Sequence, residues 1–506
     1  MDDKEIELKL AVPRDALARV RRSGLVTRHR QGKPAIKRLR SIYYDTPNHD
    51  LAREGITVRL RQSGSVWLQT VKTAGDRASG LFSRQEWEAP VAGETLDGRQ
   101  LRATGLPQLQ DEHLADRLSP LFATEVKRIA IPLGGEGWRA ELALDEGLIM
   151  AGEAREAIAE IEIELQEGSP DRLFALAHDI AELVPARLLA SSKSDRGYAL
   201  AAGTTPAPVK AKPVQLGDGM DLGEAFRAIA RNCLHHLLAN ERALLQERDP
   251  EAIHQMRVAL RRLRSALKVF GPLVKGPQLA QIRAEIRWLL AVLGPARDSE
   301  VFLAEIVVPV AEKHAGPVMT DLHHHWDERR AHDFAAAVAA VEDRRFTALL
   351  LDLGSWVEAG DWCTDSALPG PTRTGEMVKP FARAVLDKLA KRLRKAAGKR
   401  LEKLSPAHLH EVRILGKQLR YACEFFAPLY GKPAVKPYLS ALSKLQEVLG
   451  QINDIVVAGE KLGSGGPHDW ASGMVAGWHQ ARRPKLVKAA DKAWKRLGRT
   501  DRFWAG

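Results

Sequence analysis

Cysteine is scarce in this chain. Cys233, Cys363 and Cys423 are the three in 506 residues, and their wide spacing offers no metal-type pairing. That suits a reducing cytoplasm. No run of 18 apolar residues occurs, which argues against a membrane-spanning helix. The opening "MDDKEIELKL" is acidic and lacks the basic and apolar regions of a signal peptide. Acid is absent from one long stretch: "HQMRVALRRLRSALKVF", from His254 to Phe270, contains no Asp or Glu.

Cations on a solvated helix are ordinarily interleaved with acids at i,i+4. Here they are sorted. At about 100° per residue, His254, Arg257, Arg261, Arg264 and Lys268 fall within a wedge of roughly 80°, with Met256, Leu263, Leu267 and Phe270 opposite. The stripe is about 14 residues, or roughly 21 Å, long. A second stretch, "HEVRILGKQLRYACEFF", places His410, Arg413, Lys417 and Arg420 at the same offsets. Asp298 lies 44 residues after His254, and Asp454 lies 44 after His410. Matching pattern and register predict two copies of one helical module, with related surfaces able to face one ligand.

The net charge of +12 is unevenly divided. Residues 1–200 carry 29 Lys and Arg against 31 Asp and Glu; the remaining 47 and 33 leave +14 for residues 201–506. A basic region of this size implies a polyanionic partner: nucleic acid, an anionic membrane surface or polyphosphate. Residues 201–219, rich in Pro, Ala and Gly, read as a linker. Before it, two-residue alternation predicts strands over "EIELKL", "ITVRLRQ", "VWLQTVK", "SRQEWEAP", "VKRIAIPL", "RAELALDEGLI" and "EIEIELQ", with helices near 13–23 and 170–184. After it the pattern is helical, with a break at 365–375. The expected layout is a domain at 1–200, the linker, and a helical domain at 220–506 in two repeats, about 220–364 and 376–506.

The strands place charge on one face. Glu5, Glu7 and Lys9 share a face, as do Arg59 and Arg61, then Arg84, Glu86 and Glu88, and then Glu160, Glu162 and Glu164. A merely solvated face would not sort carboxylates and cations strand by strand. A closed barrel with a charged lumen would, its carboxylates suited to a hard divalent cation and its Arg and Lys to a polyanion.

These motifs resemble a known pair of families. "EIELK" is similar to the ExExK signature of the CYTH, or triphosphate tunnel metalloenzyme, superfamily. "YYDTPN" (43–48), "GITVRLR" (55–61), "WLQTVK" ending at Lys72, "SRQEWE" (83–88), "EIEIEL" (160–165) and "SSKSDRGY" (191–198) follow in the family's order. The duplicated His-x-x-Arg helix resembles the CHAD domain. The tandem looks like the CYTH–CHAD inorganic triphosphatases of bacteria. The resemblance implies a multidomain α+β protein: an antiparallel eight-stranded tunnel with flanking helices, then an all-α duplicated bundle. It implies Mg²⁺ or Mn²⁺ on Glu5, Glu7 and Glu164, with Glu162 beside them. It implies phosphate binding by Lys9, Arg59, Arg61, Lys72, Arg84, Arg128 and Lys193. Glu5, Glu7, Lys9, Lys72 and Glu162 are the expected catalytic set, acting on inorganic triphosphate. His254, Arg257, Arg261, Arg264, Lys268, His410, Arg413, Lys417 and Arg420 are expected to bind inorganic polyphosphate, in the cytoplasm or at polyphosphate granules.

Alternatives stay open. Glu160, Glu162, Glu86 or Glu88 could orient the attacking water. Asp145 reads either as a further site residue or as a partner for Arg. The chain could bind polyphosphate without catalysis, or act on another triphosphate as a thiamine triphosphatase or adenylate cyclase. Nucleic acid is disfavoured, because no aromatics interleave the stripes for base stacking, and no membrane partner is expected. "HHH" at 323–325 does not converge on a metal, since consecutive helical residues diverge.

Overall fold

The structure is a computed structural model describing residues 4–75, 80–360, 362, 375–463 and 469–505. Cys363 and, apart from Gly375, the break expected at 365–375 lie outside the described residues. Two compact units are present. The first comprises Met1–Val209, Leu234–Asp249 and Val341–Asp361; the second comprises Lys210–Cys233, Pro250–Ala340 and Trp362–Gly506.

The first unit contains β1 (Lys4–Ala11), β2 (Ala35–Asp45), β3 (Ile56–Ser63), β4 (Val66–Thr73), β5 (Leu81–Val91), β6 (Ser119–Gly135), β7 (Trp138–Ala151) and β8 (Ala154–Glu167). They pair antiparallel in the order β5-β4-β3-β2-β6-β7-β8-β1. The sheet closes because β1 serves two neighbours: Lys4–Leu8 pair with β5, and Glu7–Ala11 with β8. The result is a closed eight-stranded barrel, with the short β9 (Arg187–Leu188) added beside the end of β1.

Alternation explains its inverted character. On β1, β3 and β8 one face turns into the lumen and carries the charge. The other turns outward and is apolar, so it must be covered. Ile42, Tyr44, Val58, Leu60 and Val71 pack beneath Leu101, Leu109 and Leu114 of the connection between β5 and β6. Leu8, Leu10, Ile161 and Ile163 are fully buried, and the helix Asp171–Leu183 lies against β1 and β8. Each such side chain contributes about 1.5–3 kcal/mol when removed from water.

Helix Arg344–Ala359 packs on Asp171–Leu183, although it comes far later in sequence. A Cβ at Gly354 would stand 2.2 Å from the Phe174 ring, so only glycine permits this approach. Thr347 Oγ1 donates to the Ala186 carbonyl at 2.9 Å. Residues 204–217 have no regular secondary structure, yet Val214 and Leu216 within them are buried.

The described part of the second unit is helical. The basic helices Pro250–Val269 and Pro406–Phe426 each begin on a proline, which suits the first helical turn. Each packs on the long helix that follows it, Gln278–Phe302 or Lys432–Leu462, and the two basic helices pack on each other. Their apolar faces, including Met256, Leu263, Leu267, Val412 and Leu419, are buried. A further core joins Phe302, Ile306 and Val310 to Met319, Leu322, Ala471 and Val475. Among the described residues, no helix is long and apolar enough to cross a membrane.

Candidate functional site

Two turns set the lumen. In "YYDTPN", buried Asp45 accepts from the backbone of Thr46 at 2.7 Å and of Leu51 and Ala52 at 3.0 Å, which fixes the end of β2. Tyr43 then faces inward opposite Arg59, and Ser41 opposite Arg61. In "SSKSDRGY", Ser192 and Asp195 form a reciprocal capping box at the start of helix Lys193–Ala201. The box seats Lys193 at the first helical position, with its amine in the barrel. A Cβ at Gly197 would come within 2.0 Å of Phe122, so the glycine lets this helix lie against β6.

The lumen holds a cavity of about 260 Å³. Its lining brings together every tunnel residue expected from sequence: Glu5, Glu7, Lys9, Arg59, Arg61, Lys72, Arg84, Arg128, Glu162, Glu164 and Lys193. Tyr43, Thr57, Glu86, Glu88, Ser192 and Ser194 complete it. Tyr43, Thr57, Ser192 and Ser194 join the lumen beyond the residues expected from sequence: Thr57 shares strand parity with Arg59 and Arg61, Ser192 and Ser194 flank Lys193, and Tyr43 enters through its cross-strand pairing with Arg59.

Most of these charges are paired. Lys9 binds Glu7 at 2.7 Å and also Glu162. Lys72 binds Glu5 at 2.9 Å and Glu86 at 2.7 Å. Arg84 binds Glu5 at 2.9 Å and Glu7 at 2.6 Å. Lys193 binds Asp145 at 2.8 Å, Glu160 at 2.7 Å and Glu162 at 2.8 Å. Arg128 binds Glu162 and holds Asp145 with both arms, so Asp145 pairs with arginine. Glu160 is 1% exposed and lies behind the lining, on Lys193 and Arg196. Burial opposes ionisation of Glu5, but Lys72 and Arg84 outweigh it and hold the carboxyl well below the usual range.

Two groups break the pattern. Arg61 has no ion pair among the described residues; it donates to Ser41 Oγ at 3.3 Å, and burial followed by neighbouring Arg59 lowers its guanidinium to about 10. Arg59 is nearly buried, its contact with Glu86 is as long as 3.4 Å, and its Nε has no partner among the described residues. Burial raises the Tyr43 phenol, but Arg59 and Arg61 outweigh it and leave it below its ordinary value. On the other side stands Glu164, opposite Glu7 on the β1–β8 ladder and without an ion pair among the described residues. Burial, then Glu5, Glu7 and Glu141, push its carboxyl up to about 7. The lumen is therefore polarised, with unspent cation on β3 and unspent carboxylate where β1 meets β8.

Among the described residues, no three His, Cys, Asp or Glu side chains stand as a ready metal cluster, because Glu5 and Glu7 are turned onto Lys9, Lys72 and Arg84. The donors nonetheless fit a hard divalent cation. They are all carboxylate oxygens, and Glu164 is crowded by Glu5, Glu7 and Glu141 and makes no ion pair among the described residues.

In the second unit the stripes are graded in exposure. Arg257 is 6% exposed and bound to Asp298 at 3.2 Å, with Nη1 unpartnered among the described residues. His254 and Arg261 are half-buried, while Arg264 and Lys268 are exposed. On the other helix His410 is exposed, with Nδ1 at 2.6 Å from Asn453 Oδ1. Arg413 and Lys417 are half-buried, and Arg420 contacts Glu424 at 3.3 Å. Lys268 donates to Gln418 at 3.3 Å, linking the helices. Burial, then Arg413, Arg261 and Arg420, lower the Lys417 amine to about 7, so both stripes contribute to one cationic field. Asp454, unlike its counterpart Asp298, makes no ion pair among the described residues. In "HHH", His324 is exposed and contacts Glu328 at 3.2 Å.

Comparison with known proteins finds two families along the chain. Residues 3–198 match the CYTH domain and residues 228–463 the CHAD domain. An inorganic triphosphatase of Haemophilus influenzae is 36% identical over 167 residues, which are 32% of this chain and 46% of that protein. The match thus spans less than half of that relative. An uncharacterized protein of Mycobacterium tuberculosis is 26% identical over 449 residues, covering 84% of this chain and 82% of that one. The crystal structure of the CHAD domain from the plant Ricinus communis is 33% identical, with a TM-score of 0.51, and covers 59% of this chain and 98% of that one.

Proposed function

From the premise that this chain belongs to the proteins that join a CYTH domain to a CHAD domain, we propose that it hydrolyses inorganic triphosphate to diphosphate and phosphate in the barrel. The helical domain, in this reading, binds inorganic polyphosphate through its two basic stripes, in the cytoplasm or at polyphosphate granules. The observation that carries the proposal is the polarised lumen: Arg59 and Arg61, short of carboxylate partners, face the same cavity as the carboxylate-rich junction at Glu164. The inorganic triphosphatase relative matches over this domain.

Cleaving a phosphoanhydride requires charge neutralisation, alignment and an oriented water. Arg59 and Arg61 supply fixed forks for phosphate oxygens, and the orphaned Arg59 Nε gains an acceptor when a phosphate enters. Lys9, Lys72, Arg84, Arg128 and Lys193 exchange carboxylate partners for substrate oxygens around the same cavity. Glu5, Glu7 and Glu164, with Glu162 beside them, would hold Mg²⁺ or Mn²⁺, which when bound polarises the phosphoryl group and acidifies water. Glu88 is bonded to Thr70 Oγ1 at 2.9 Å and makes no ion pair among the described residues, which leaves it to orient the nucleophile. Glu160 and Glu162 are already tied to lysine and arginine.

Phosphate release from tripolyphosphate, with and without Mg²⁺ or Mn²⁺, tests the reading. Release should depend on the metal and be abolished by Glu7→Gln, a change that preserves volume. Tripolyphosphate bound but never cleaved, at any metal concentration, would mean that the barrel only captures short phosphate chains.

A further inference from the structure

Helix Glu241–Glu247 follows the Pro- and Ala-rich segment in sequence, yet it lies in the first unit, and its seat is specific. Asn240, fully buried, pairs with both backbone groups of Val209: Oδ1 accepts from the N–H and Nδ2 donates to the carbonyl, each at 2.9 Å. Glu241 is buried, with Arg187 at 3.9 Å. Arg242 then reaches Ser191 Oγ at 3.4 Å with Nη1, and Glu156 Oε1 at 3.5 Å with Nη2. Glu156 also accepts from Arg196 Nη1 at 3.3 Å. Arg196 in turn binds Glu160, which lies 2.7 Å from the Lys193 amine in the cavity wall.

Arg242 thus touches both supports of the short helix that carries Lys193. Ser191 immediately precedes the Ser192 cap, and Glu156 holds Arg196 one turn further along. We infer that Arg242 is a positioning residue for Lys193, so that a helix encoded after the Pro- and Ala-rich segment sets the reach of a cation in the triphosphate cavity. Without Arg242, Glu156 keeps one cation instead of two and Ser191 loses a donor. The first turn of helix Lys193–Ala201 loosens, and the long, flexible lysine samples positions off the phosphate. Substrate binding weakens and the chemical step does not. The kinetic part of this inference rests on the proposed triphosphatase reading.

The test uses full-length Arg242→Ala. Amides of residues 193–201 should exchange faster with deuterium, while the rest of the barrel keeps its protection. The KM for tripolyphosphate should rise roughly two- to fivefold, the scale of a partly exposed ion pair, with kcat retained. Arg242→Lys should recover part of the loss. In a Lys193→Ala background, Arg242→Ala should add nothing to KM. Unchanged exchange at 193–201, or the same KM cost when Lys193 is absent, overturns the inference. If the unaltered protein neither binds nor cleaves tripolyphosphate, the functional reading fails, and the exchange measurement alone still decides the role of Arg242.

Discussion

Arg128 grips Asp145 across the β6–β7 ladder with Nε at 2.8 Å and Nη2 at 2.6 Å, one on each carboxylate oxygen. Asp145 is wholly buried and also holds Lys193 at 2.8 Å. Burial opposes its ionisation, but Lys193 and Arg128 keep its carboxyl below the ordinary range. Asp145→Asn therefore leaves two part-buried cations undercompensated around a buried site, and folding stability should drop by about 3 kcal/mol. Urea unfolding measures this. Added tripolyphosphate should restore part of the loss by supplying replacement negative charge. A drop below about 1 kcal/mol would show that Arg128 and Lys193 do not depend on Asp145.

Arg59→Ala combined with Arg61→Ala should weaken tripolyphosphate binding and turnover together. At about 1.5–3 kcal/mol per charged hydrogen bond, the pair accounts for roughly a hundredfold or more in kcat/KM. Polyphosphate binding by the same full-length variant should be unaltered. Calorimetric titration with both ligands separates the two effects. A parallel loss of long-chain binding would argue for a single shared site.

Arg261→Glu, Arg264→Glu and Lys268→Glu together should greatly weaken long-chain polyphosphate binding, and so should Arg413→Glu, Lys417→Glu and Arg420→Glu. Arg257 is spared because it is buried on Asp298. Affinity of the unaltered protein should fall steeply with salt, as counterion release requires. Titrations at two salt concentrations check both points. Unaltered affinity without salt dependence in the variants would show that the stripes are merely solvated faces.

Lys417 should make polyphosphate binding depend on pH. Its amine is lowered to about 7, mainly by burial and then by Arg413, Arg261 and Arg420. Below pH 7 it is charged and contributes to the cationic field; above pH 7 it loses that charge in the free protein. A bound polyanion favours the protonated form, so binding at pH 8 should take up a proton, and affinity should weaken as pH rises through 7. Calorimetry in buffers of different ionisation enthalpy reads the uptake. Lys417→Arg should abolish the proton uptake, because guanidinium stays charged.

Charge parity along the strands located most of the cavity. Glu5, Glu7, Arg59, Arg61, Glu162 and Glu164 alternate with apolar partners, and each such strand turned its charged face inward. β2 was harder to read. In "AIKRLRSIYYD" the last five residues are all buried, because Ser41 and Tyr43 face the lumen while Ile42 and Tyr44 join the outer apolar cluster. With both faces covered, the two-residue signal disappears. Pairing choices were equally hidden. Nothing in the spacing of Asp298 and Asp454 distinguishes them, yet among the described residues Asp298 alone of the two holds its arginine. That difference depends on side-chain reach and burial rather than on pattern.

The division of the first unit into three sequence segments has a consequence for synthesis. Its last segment, Val341–Asp361, is made long after the barrel strands. At 5–20 residues per second, the ribosome needs roughly eight to thirty seconds to travel from the end of the first segment to the end of the last. Throughout that interval the surface around Phe174, later covered by Gly354, stands open to water or to whatever chaperone meets the nascent chain.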